Sequence, residues 1–326
     1  MKSLLFKTLG IMIAFPAVLA VTAASVLAAA DTYPSKPVRL IVPFPPGGSS
    51  DSVGRVVAHE LSERLGKQVI VDNRSGGGGI IGTEVAAKAD PDGYTLLLGA
   101  GSHTINPALR KLPFDPMKSF TPITRLVTEP NVLAVHPKVP TNSVKELIQL
   151  AKQKPGQLTC AAAGVGSFAH LAAELLKANA GIDFKIVQFK GGGPSLIDLL
   201  GGHSDFTNSS AILVLPHAQK LRFLGTSGLK RSVLLPDVPS IAEAGVPGYE
   251  ATNWYGILAP AGTPAPIVDR LDKELKAMLT SDEVKKWFNN QGAEVGYMGP
   301  IDFGPFIAEM INKWGKVIKD ANIKVE

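Results

Sequence analysis

The chain has one cysteine, little excess charge and no clustered metal-ligand pattern in its 326 residues. Cys160 cannot form an intramolecular disulfide, and its place in the apolar tract 158–163 predicts a buried thiol in a strand. The formal net charge is +5, without a Lys/Arg-rich run, which argues against a nucleic-acid partner. The six histidines lack the spacings of metal ligands. We therefore expect no disulfide scaffold, no nucleic-acid partner and no metal.

Motifs for covalent and nucleotide chemistry are also missing. The sequence contains neither G-x-S-x-G nor G-x-x-x-x-G-K-[ST]. Residues 77–82 match G-x-G-x-x-G between a strand and a helix, but no Asp or Glu occurs in 96–104, where a ribose partner would be expected. We interpret this stretch as a glycine loop and expect no cofactor. An exported hydrolase using Ser167 and His170 stays an alternative, although it would need an oriented base and an oxyanion site.

The first thirty residues have the pattern of an export signal. Lys2 and Lys7 precede an apolar run over 11–30, which ends in three alanines. This pattern predicts a signal peptide, residues 1–30, cleaved near Ala30. Its removal would lower the formal charge from +5 to +3, because the segment holds two lysines and no acid. An uncleaved membrane anchor is the alternative, because twenty apolar residues could span a bilayer.

Strand-like and helix-like segments alternate along the rest of the chain. This alternation predicts an α/β fold of two lobes, each with a mostly parallel sheet flanked by helices. Lobe 1 is expected at 31–130 plus 254–326 and lobe 2 at 131–253, with chain crossings near 128–132 and 253–257. The strands are expected at 40–42, 68–72, 94–99, 131–135, 158–163, 184–189, 221–225 and 254–259. Residues 101–130 have weak periodicity and predict a long irregular connection.

Two helices are marked clearly. The box from Ser143 to Glu146 predicts a helix start, and Pro155-Gly156 predicts its end. The apolar stripe of the last helix, over 306–318, predicts packing in the core.

Four turns rich in Gly and Ser follow predicted strands, at 47–51, 99–104, 164–167 and 190–194. In open parallel sheets such turns share the carboxyl ends of the strands, where ligands bind. The strand 40–42 breaks at Pro43-Phe44-Pro45-Pro46 and leads through Gly47-Gly48 into a helix start, whose free N–H groups and dipole favour an anion. The turns therefore predict a ligand cleft lined by backbone donors and hydroxyls.

Several long segments resemble one family. They are YPSKPVRLIVPFPPGGSSD at 33–51, NRSGGGGIIGTEVAAKADPDGYTLLLG at 73–99, GVGSFAHLAAELL at 164–176, FKGGGPSLIDLLGGHSDF at 189–206, LPDVPSIAEAGVPGYEATNWYGILAPAGTP at 235–264 and KWGKVIKDANIK at 313–324. In this order they resemble the tripartite tricarboxylate transporter receptors, the Bug-type extracytoplasmic solute-binding proteins.

The resemblance implies a monomeric, periplasmic binding protein of two lobes, with type II-like topology. It implies that a small carboxylate is held between the lobes by amides, hydroxyls and bridging waters. Hinge closure would then present the ligand to the membrane permease subunits of the transporter, without catalysis. A periplasmic sensor for a membrane signalling protein is the alternative.

The resemblance and the turns together give the candidate ligand-binding residues. Those of the first lobe are Phe44, Pro46, Gly47, Gly48, Ser49, Asp51, Ser102 and His103. Those of the second lobe are Gly166, Ser167, His170, Lys190, Gly191 and Asn208.

Two stretches depart from the family pattern. Residues 187–191 read VQFKG where relatives usually have Val-Pro-Tyr-Lys-Gly, and residues 203–210 read HSDFTNSS where an apolar segment with an acid is common. Both lie where ligand identity should be set. The substrate, whether a dicarboxylate, a tricarboxylate, an amino acid or an aromatic acid, therefore cannot be inherited from relatives.

Overall fold

A computed structural model describes residues 33–323, so the predicted signal peptide at 1–30 lies outside the described residues. The strands are β1 Val38–Val42, β2 Val69–Asn73, β3 Thr95–Ala100, β4 Phe120–Val135, β5 Thr159–Ala162, β6 Lys185–Gln188, β7 Phe206–Ser210, β8 Arg222–Thr226, β9 Thr252–Pro260 and β10 Glu294–Met298.

The helices alternate with these strands. They are α1 Ser49–Leu65, α2 Ile80–Ala87, α3 Ser102–Leu109, α4 Val144–Gln153, α5 Phe168–Ala180, α6 Gly192–Leu200, α7 Ala211–Val214, α8 Ala265–Thr280, α9 Asp282–Asn290 and α10 Pro300–Asp320, with short 3₁₀ turns at Gly77–Gly79 and Leu215–His217. Within residues 33–323, every helix is too short or too polar to cross a membrane.

The strands form one curled, mixed sheet in the order β2-β1-β3-β9-β4-β7-β5-β6. The outer strands pair in parallel, as predicted, whereas β4 and β9 run antiparallel to their neighbours. The long strand β4 belongs to two groups: Phe120–Pro130 pairs with β9, and Asn131–Val135 pairs with β7 and β8. We call the strands on the two sides of this change the first sheet half (β1–β3, β9, β10 and the start of β4) and the second sheet half (β5–β8 and the end of β4).

The α/β alternation predicted from the sequence is confirmed, but the prediction of an irregular connection at 101–130 is wrong. That segment contains α3 and most of β4. Residues 101–106 of the α3 turn are buried on all sides, so they have no amphipathic period. The register of β4 shifts after Pro122 and after Arg125, which breaks the alternation of a regular strand. Strands β7 and β10 were also not predicted.

The capped helix and the last helix agree with their sequence signals. Ser143 accepts a hydrogen bond from the Glu146 N–H at 3.2 Å, and α4 ends before Pro155. Cys160 is buried in β5, as predicted, and burial raises the pKa of its thiol to about 12.

The final helix, α10, packs against more than one core. Phe303 and Ile307 pack with Trp254 beneath the first sheet half. Trp314 and Ile318, two to three turns later, belong to the core of the second sheet half. The predicted apolar stripe of α10 is therefore buried in the core, and it packs against both sheet halves.

Candidate ligand-binding site

The first loop of the site, residues 43–51, connects β1 to α1. Gly47 has φ +82°, a conformation that favours glycine, and its N–H donates to Asp51 Oδ2 at 3.0 Å. The same carboxylate accepts from Arg55 Nε at 2.9 Å and from Asn73 Nδ2 at 3.1 Å. Burial alone would raise the pKa of Asp51, but these hydrogen bonds outweigh it and lower the pKa. Asp51 therefore braces the loop as a charged group.

The second loop, residues 189–193, meets the first across the sheet halves. A Cβ on Gly191, which has φ +156°, would overlap the Pro45 ring, and one on Gly193 would lie 3.0 Å from the Gly47 carbonyl oxygen. A Cβ on Gly48 would lie 3.8 Å from the Gly192 nitrogen. The two loops therefore approach each other backbone to backbone.

Beside these loops lies a small, half-open space, the first cavity, of about 50 Å³. Both sheet halves line it, with Phe44, Gly48, Ser49, Ser50, Ala100, Ser102, Asn253 and Tyr255 from the first and Asn131, Ala163, Ser167, Phe168, Ala169, Gly192, Ser209, Ser210 and Leu213 from the second. Hydroxyl and amide side chains alternate with apolar ones, the exposed lining surface is mostly apolar, and the lining includes no charged side chain. A polar group that enters it would be recognised by hydrogen bonds alone.

Four helices of eight or more residues begin at the first cavity. The first turns of α1 (Gly48–Ser50) and α5 (Ser167–Ala169) line it, as do Ser102 of α3 and Gly192 of α6. The first N–H groups of a helix have no intrahelical acceptor, and its dipole places partial positive charge there. The convergence of four such ends makes the cavity favourable for an anion.

A buried acid, Glu129, lies on β4 next to this cavity. Its side chain is fully buried and accepts hydrogen bonds from Ser210 Oγ at 2.8 Å, the Ile212 N–H at 3.2 Å and Asn253 Nδ2 at 3.3 Å. Burial raises its pKa, and these hydrogen bonds oppose the shift only in part. Tyr255, which also interacts with Glu129, donates from its hydroxyl to Ser49 Oγ at 2.8 Å. The acid is therefore linked to the first loop.

A larger space, the second cavity, lies beside the first and has a volume of about 420 Å³. The glycine loop 75–79, the turn 163–165 and residues 189–190 line it, together with Phe44, Pro45 and Arg110. Phe44 and Ala163 line both cavities. The two spaces therefore share a wall.

The structure brings most of the predicted site residues together. Phe44, Gly48, Ser49, Ser102 and Ser167 line the first cavity. Lys190 lines the second cavity. Pro46, Gly47 and Gly191 lie in the two loops and do not line the first cavity. Gly166 lies against Asn106 and Arg110 and lines neither cavity.

Three predicted residues point elsewhere. His103 Nε2 lies 2.8 Å from the Pro116 carbonyl oxygen and its ring packs on Phe114 and Phe120, away from both cavities. The Asn208 amide donates to Tyr249 and the Ala172 carbonyl, inside the second core. His170 is buried behind Ser167, at the start of α5. Sequence spacing located these residues near the site but could not give the direction of their side chains.

The geometry does not support the hydrolase alternative. Ser167 Oγ accepts a hydrogen bond from the backbone N–H of His170 at 3.2 Å, as a helix cap, and the His170 ring contacts the Gly166 N–H and Glu174. Burial, with a smaller contribution from Arg110, lowers the pKa of His170 to about 4. The ring is therefore neutral and is not hydrogen-bonded to the serine hydroxyl.

Several polar residues of the first cavity were not predicted. Asn131 and Asn253 lie where the chain crosses between sheet halves, and Ser209 and Ser210 end β7. The sequence carried one signal for Ser209 and Ser210. They belong to a run of polar residues, 203–210, and polar side chains that are buried indicate hydrogen bonds in the interior. Glu129 and Arg110 had no such local signal.

Comparison with known proteins identifies the family. Residues 53–323 match the family described as "Tripartite tricarboxylate transporter family receptor". Protein BugT of Bordetella pertussis is 38% identical over 302 residues, which cover 91% of this chain and 93% of BugT. The R. palustris protein Rpa4515 with adipate has 38% identity and a TM-score of 0.86, over 90% of this chain and 99% of that one.

A second solved structure supports the same assignment. MatC of Rhodopseudomonas palustris with bound malate has 31% identity and a TM-score of 0.84, over 88% of this chain and 100% of MatC. The match over most of the chain confirms the resemblance and the two-lobed α/β fold. The chain therefore belongs to the tripartite tricarboxylate transporter receptor family, the Bug-type periplasmic solute-binding proteins.

Proposed function

We propose that this protein is an exported, periplasmic receptor that binds a small carboxylate in the first cavity and delivers it to a tripartite tricarboxylate-type transporter, without catalysis. The convergence of four helix N-termini on one cavity without cationic side chains carries the proposal. Relatives that were solved with adipate and malate support a carboxylate as the ligand.

In this proposal the two sheet halves are the cores of two lobes, with boundaries near residues 130 and 253. The change of pairing partners between Pro130 and Asn131 supports the first boundary. The loop-to-loop contacts at Pro45 and Gly191 support a closed form. A ligand that contacts both lobes would shift the equilibrium toward this form.

The free N–H of Gly48 gives a direct test. Within residues 33–323 this N–H has no acceptor, and Gly48→Pro removes it at the cost of moving φ from −95° to about −65°, the value that the proline ring fixes. Loss of a hydrogen bond to a charged ligand costs about 1.5–3 kcal/mol, so carboxylate affinity should fall roughly 10- to 100-fold.

Isothermal titration with adipate and malate, on protein refolded to remove carried-over ligand, measures this change. Gly48→Ala is the matched control, because it keeps the N–H and its Cβ meets neighbours only at 3.8 Å. Equal affinity in Gly48→Pro and Gly48→Ala would refute the role of this loop. If no carboxylate bound or raised the melting temperature, the proposed function would fail.

Delivery to a transporter needs a separate test. Cross-linking in membranes, with and without ligand, should capture permease subunits with the ligand-loaded receptor. Capture of a signalling kinase instead would favour the sensor alternative. Small-angle scattering should show compaction when a tight carboxylate is added, and no compaction would contradict hinge closure.

A further inference from the structure

Glu129 is buried directly behind the wall of the first cavity. Its side chain has an exposure of 0%. The carboxylate is hydrogen-bonded by the Ile212 N–H and by three side chains that themselves line the cavity, those of Ser210, Asn253 and Tyr255. One layer of side chains therefore separates this acid from a ligand in the cavity.

No cation compensates a negative charge on Glu129. Within residues 33–323 it forms no ion pair. Among the groups that hydrogen-bond it from β7, α7 and β9, only Tyr255 is titratable. The start of α1 contributes Asp51, whose carboxylate is bound to Arg55. The charged residues that line the space on the other side of the crossing are Lys230, Arg231 and Glu294.

An anion in the first cavity would meet the charge of Glu129 at short range. Two negative charges in a buried site repel each other, and the repulsion ends when one of them binds a proton. The ligand anion is stabilised by the helix N-termini of the cavity, whereas Glu129 has hydrogen bonds alone. Glu129 is therefore the group that the repulsion favours for protonation.

A hydrogen-bond chain gives this proton a second effect. Tyr255 has one hydroxyl proton and hydrogen-bonds both Glu129 and Ser49, which lines the cavity. When Glu129 is charged, Tyr255 donates to it, and the Ser49 hydroxyl is used up as a donor to Tyr255. When Glu129 is protonated, it can donate to Tyr255, which donates to Ser49 Oγ at 2.8 Å. The Ser49 hydroxyl is then free to donate to a ligand.

We propose that Glu129 binds a proton from solvent when a carboxylate anion occupies the first cavity, so that the receptor captures the anion and a proton together. The step adds H⁺ to one carboxylate oxygen of Glu129 and breaks no bond within the protein. Glu129 is thus a positioning residue that acts on the ligand through Tyr255 and Ser49. This inference rests on the proposed function, because it needs the anion in the first cavity.

The other titratable groups near the cavity keep one charge state from neutral to alkaline pH. Burial lowers the pKa of His103 and of His170 to about 4. The pKa of Asp51 is also lowered, and burial raises that of Tyr255 well above its usual range. A simple carboxylic ligand titrates at about pH 4. Proton uptake on binding in this range therefore reports on Glu129.

Proton uptake is measured by titration calorimetry with adipate on the full refolded protein, in buffers of different ionisation enthalpy. Measurements at steps from about pH 6.5 to about pH 9 should show uptake that approaches one proton per adipate wherever Glu129 of the ligand-free protein is charged. Affinity should fall there by up to about tenfold per pH unit, because the slope of its logarithm against pH equals the number of protons taken up.

Glu129→Gln keeps the size of the side chain and removes its titration. This variant should take up no proton, and its adipate affinity should stay within about twofold over the same pH range. Glu294→Gln is the matched control, because it removes an exposed acid that lines the same neighbouring space as Glu129. The control should keep both the uptake and the pH dependence of the unmodified protein.

The outcomes separate this inference from the proposed function. Adipate binding without proton uptake at every pH would overturn the inference and leave carboxylate binding intact, and this result needs only the unmodified protein. Uptake that persists in Glu129→Gln would assign the proton to another group and would also overturn it. Failure of adipate and malate to bind the unmodified protein at any pH would contradict the proposed function itself.

Discussion

The two loops that meet over the first cavity are held in different ways. The first loop, 43–51, is braced by the Asp51 carboxylate, which receives hydrogen bonds from Gly47, Arg55 and Asn73. The second loop, 189–193, lies against it through the glycine backbone of residues 191–193. The first loop is thus fixed by hydrogen bonds within its own sheet half. The second loop is shaped by its contacts with the first loop.

This difference indicates a division of roles. A loop braced in this way would hold its N–H groups in one geometry, which would lower the entropy lost when a ligand binds. A glycine loop without side chains allows two backbones to approach closely, which fits the closed form. Substitutions in the first loop should therefore change stability and recognition, and those in the second should change closure.

Blocking the second loop should have the largest effect. Gly191→Ala adds a Cβ that overlaps the Pro45 ring and adopts a φ of +156° that L side chains rarely take. Overpacking of this kind costs about 1–3 kcal/mol in the closed form, so carboxylate affinity should fall roughly 5- to 150-fold. Titration calorimetry measures the affinity, and small-angle scattering measures the compaction.

Gly315→Ala is the control for that change, because a Cβ there meets no atom within 4 Å. It should leave both affinity and compaction unchanged. Affinity for carboxylates equal to that of the unmodified protein in Gly191→Ala would show that the glycine contact does not govern closure.

Removing the negative charge of Asp51 should have the next largest effect, on the free energy of unfolding. Asp51→Asn replaces one acceptor oxygen with an amide NH₂ group, which would face the donors that now bind the carboxylate. The free energy of unfolding should therefore fall by about 1–2 kcal/mol at neutral pH. Because the pKa of Asp51 is lowered on folding, its stabilising contribution is present above the unfolded pKa and is lost as pH falls through the folded pKa. The difference in the free energy of unfolding between Asp51→Asn and the unmodified protein should therefore become smaller at acidic pH.

Urea unfolding at several pH values between neutral and strongly acidic measures this trend. Asp90→Asn, at an exposed aspartate, should leave stability nearly unchanged at every pH. A difference for Asp51→Asn that stays constant as the pH falls would contradict the brace as a charged group.

Substitution of Glu129, the buried acid where the chain crosses between the sheet halves, should have the smallest effect on stability. Its pH trend should be opposite to that of Asp51. Burial raises the pKa of Glu129, so its contribution to stability is fully present below the unfolded pKa and is lost as pH rises through the folded pKa. The only titratable side chain that hydrogen-bonds it in the described chain is Tyr255, while Lys230, Arg231 and Glu294 line a neighbouring space.

Glu129→Gln removes this titration. Its stability relative to the unmodified protein should increase as the pH rises through the folded pKa of Glu129. Urea unfolding over a series of pH values from acidic to alkaline checks the sign, and a difference independent of pH would contradict a raised pKa of Glu129. Opposite pH trends for Asp51 and Glu129 would sharpen the contrast between the braced loop and the buried crossing.

The sequence predicted those parts of the fold and site that local chemistry encodes. Glycine, proline and serine at 43–51 specify a turn and a helix start wherever they occur, so Gly48 and Ser49 could be identified as cavity residues before the structure. Ser167 was identified for the same reason, as a hydroxyl at a helix N-terminus.

Residues that depend on long-range pairing could not be predicted. Asn131 and Asn253 reach the cavity because β4 pairs with β7 on one stretch and β9 on another, which no local window contains. Arg110 lines the second cavity because α3 ends at the seam between the halves, in a segment interpreted as irregular. His103 shows the converse error, because its position was near the site and its side chain faces Pro116.

The core of the second sheet half can be completed only after α10 is available. The second core is built mostly from residues 133–251, yet Trp314 and Ile318 complete it from near the end of the chain. A chain that emerges from its amino terminus cannot close this core until its last helix has emerged, whatever the stability of the strands already made. The second sheet half therefore becomes fully buried only after α10 has emerged.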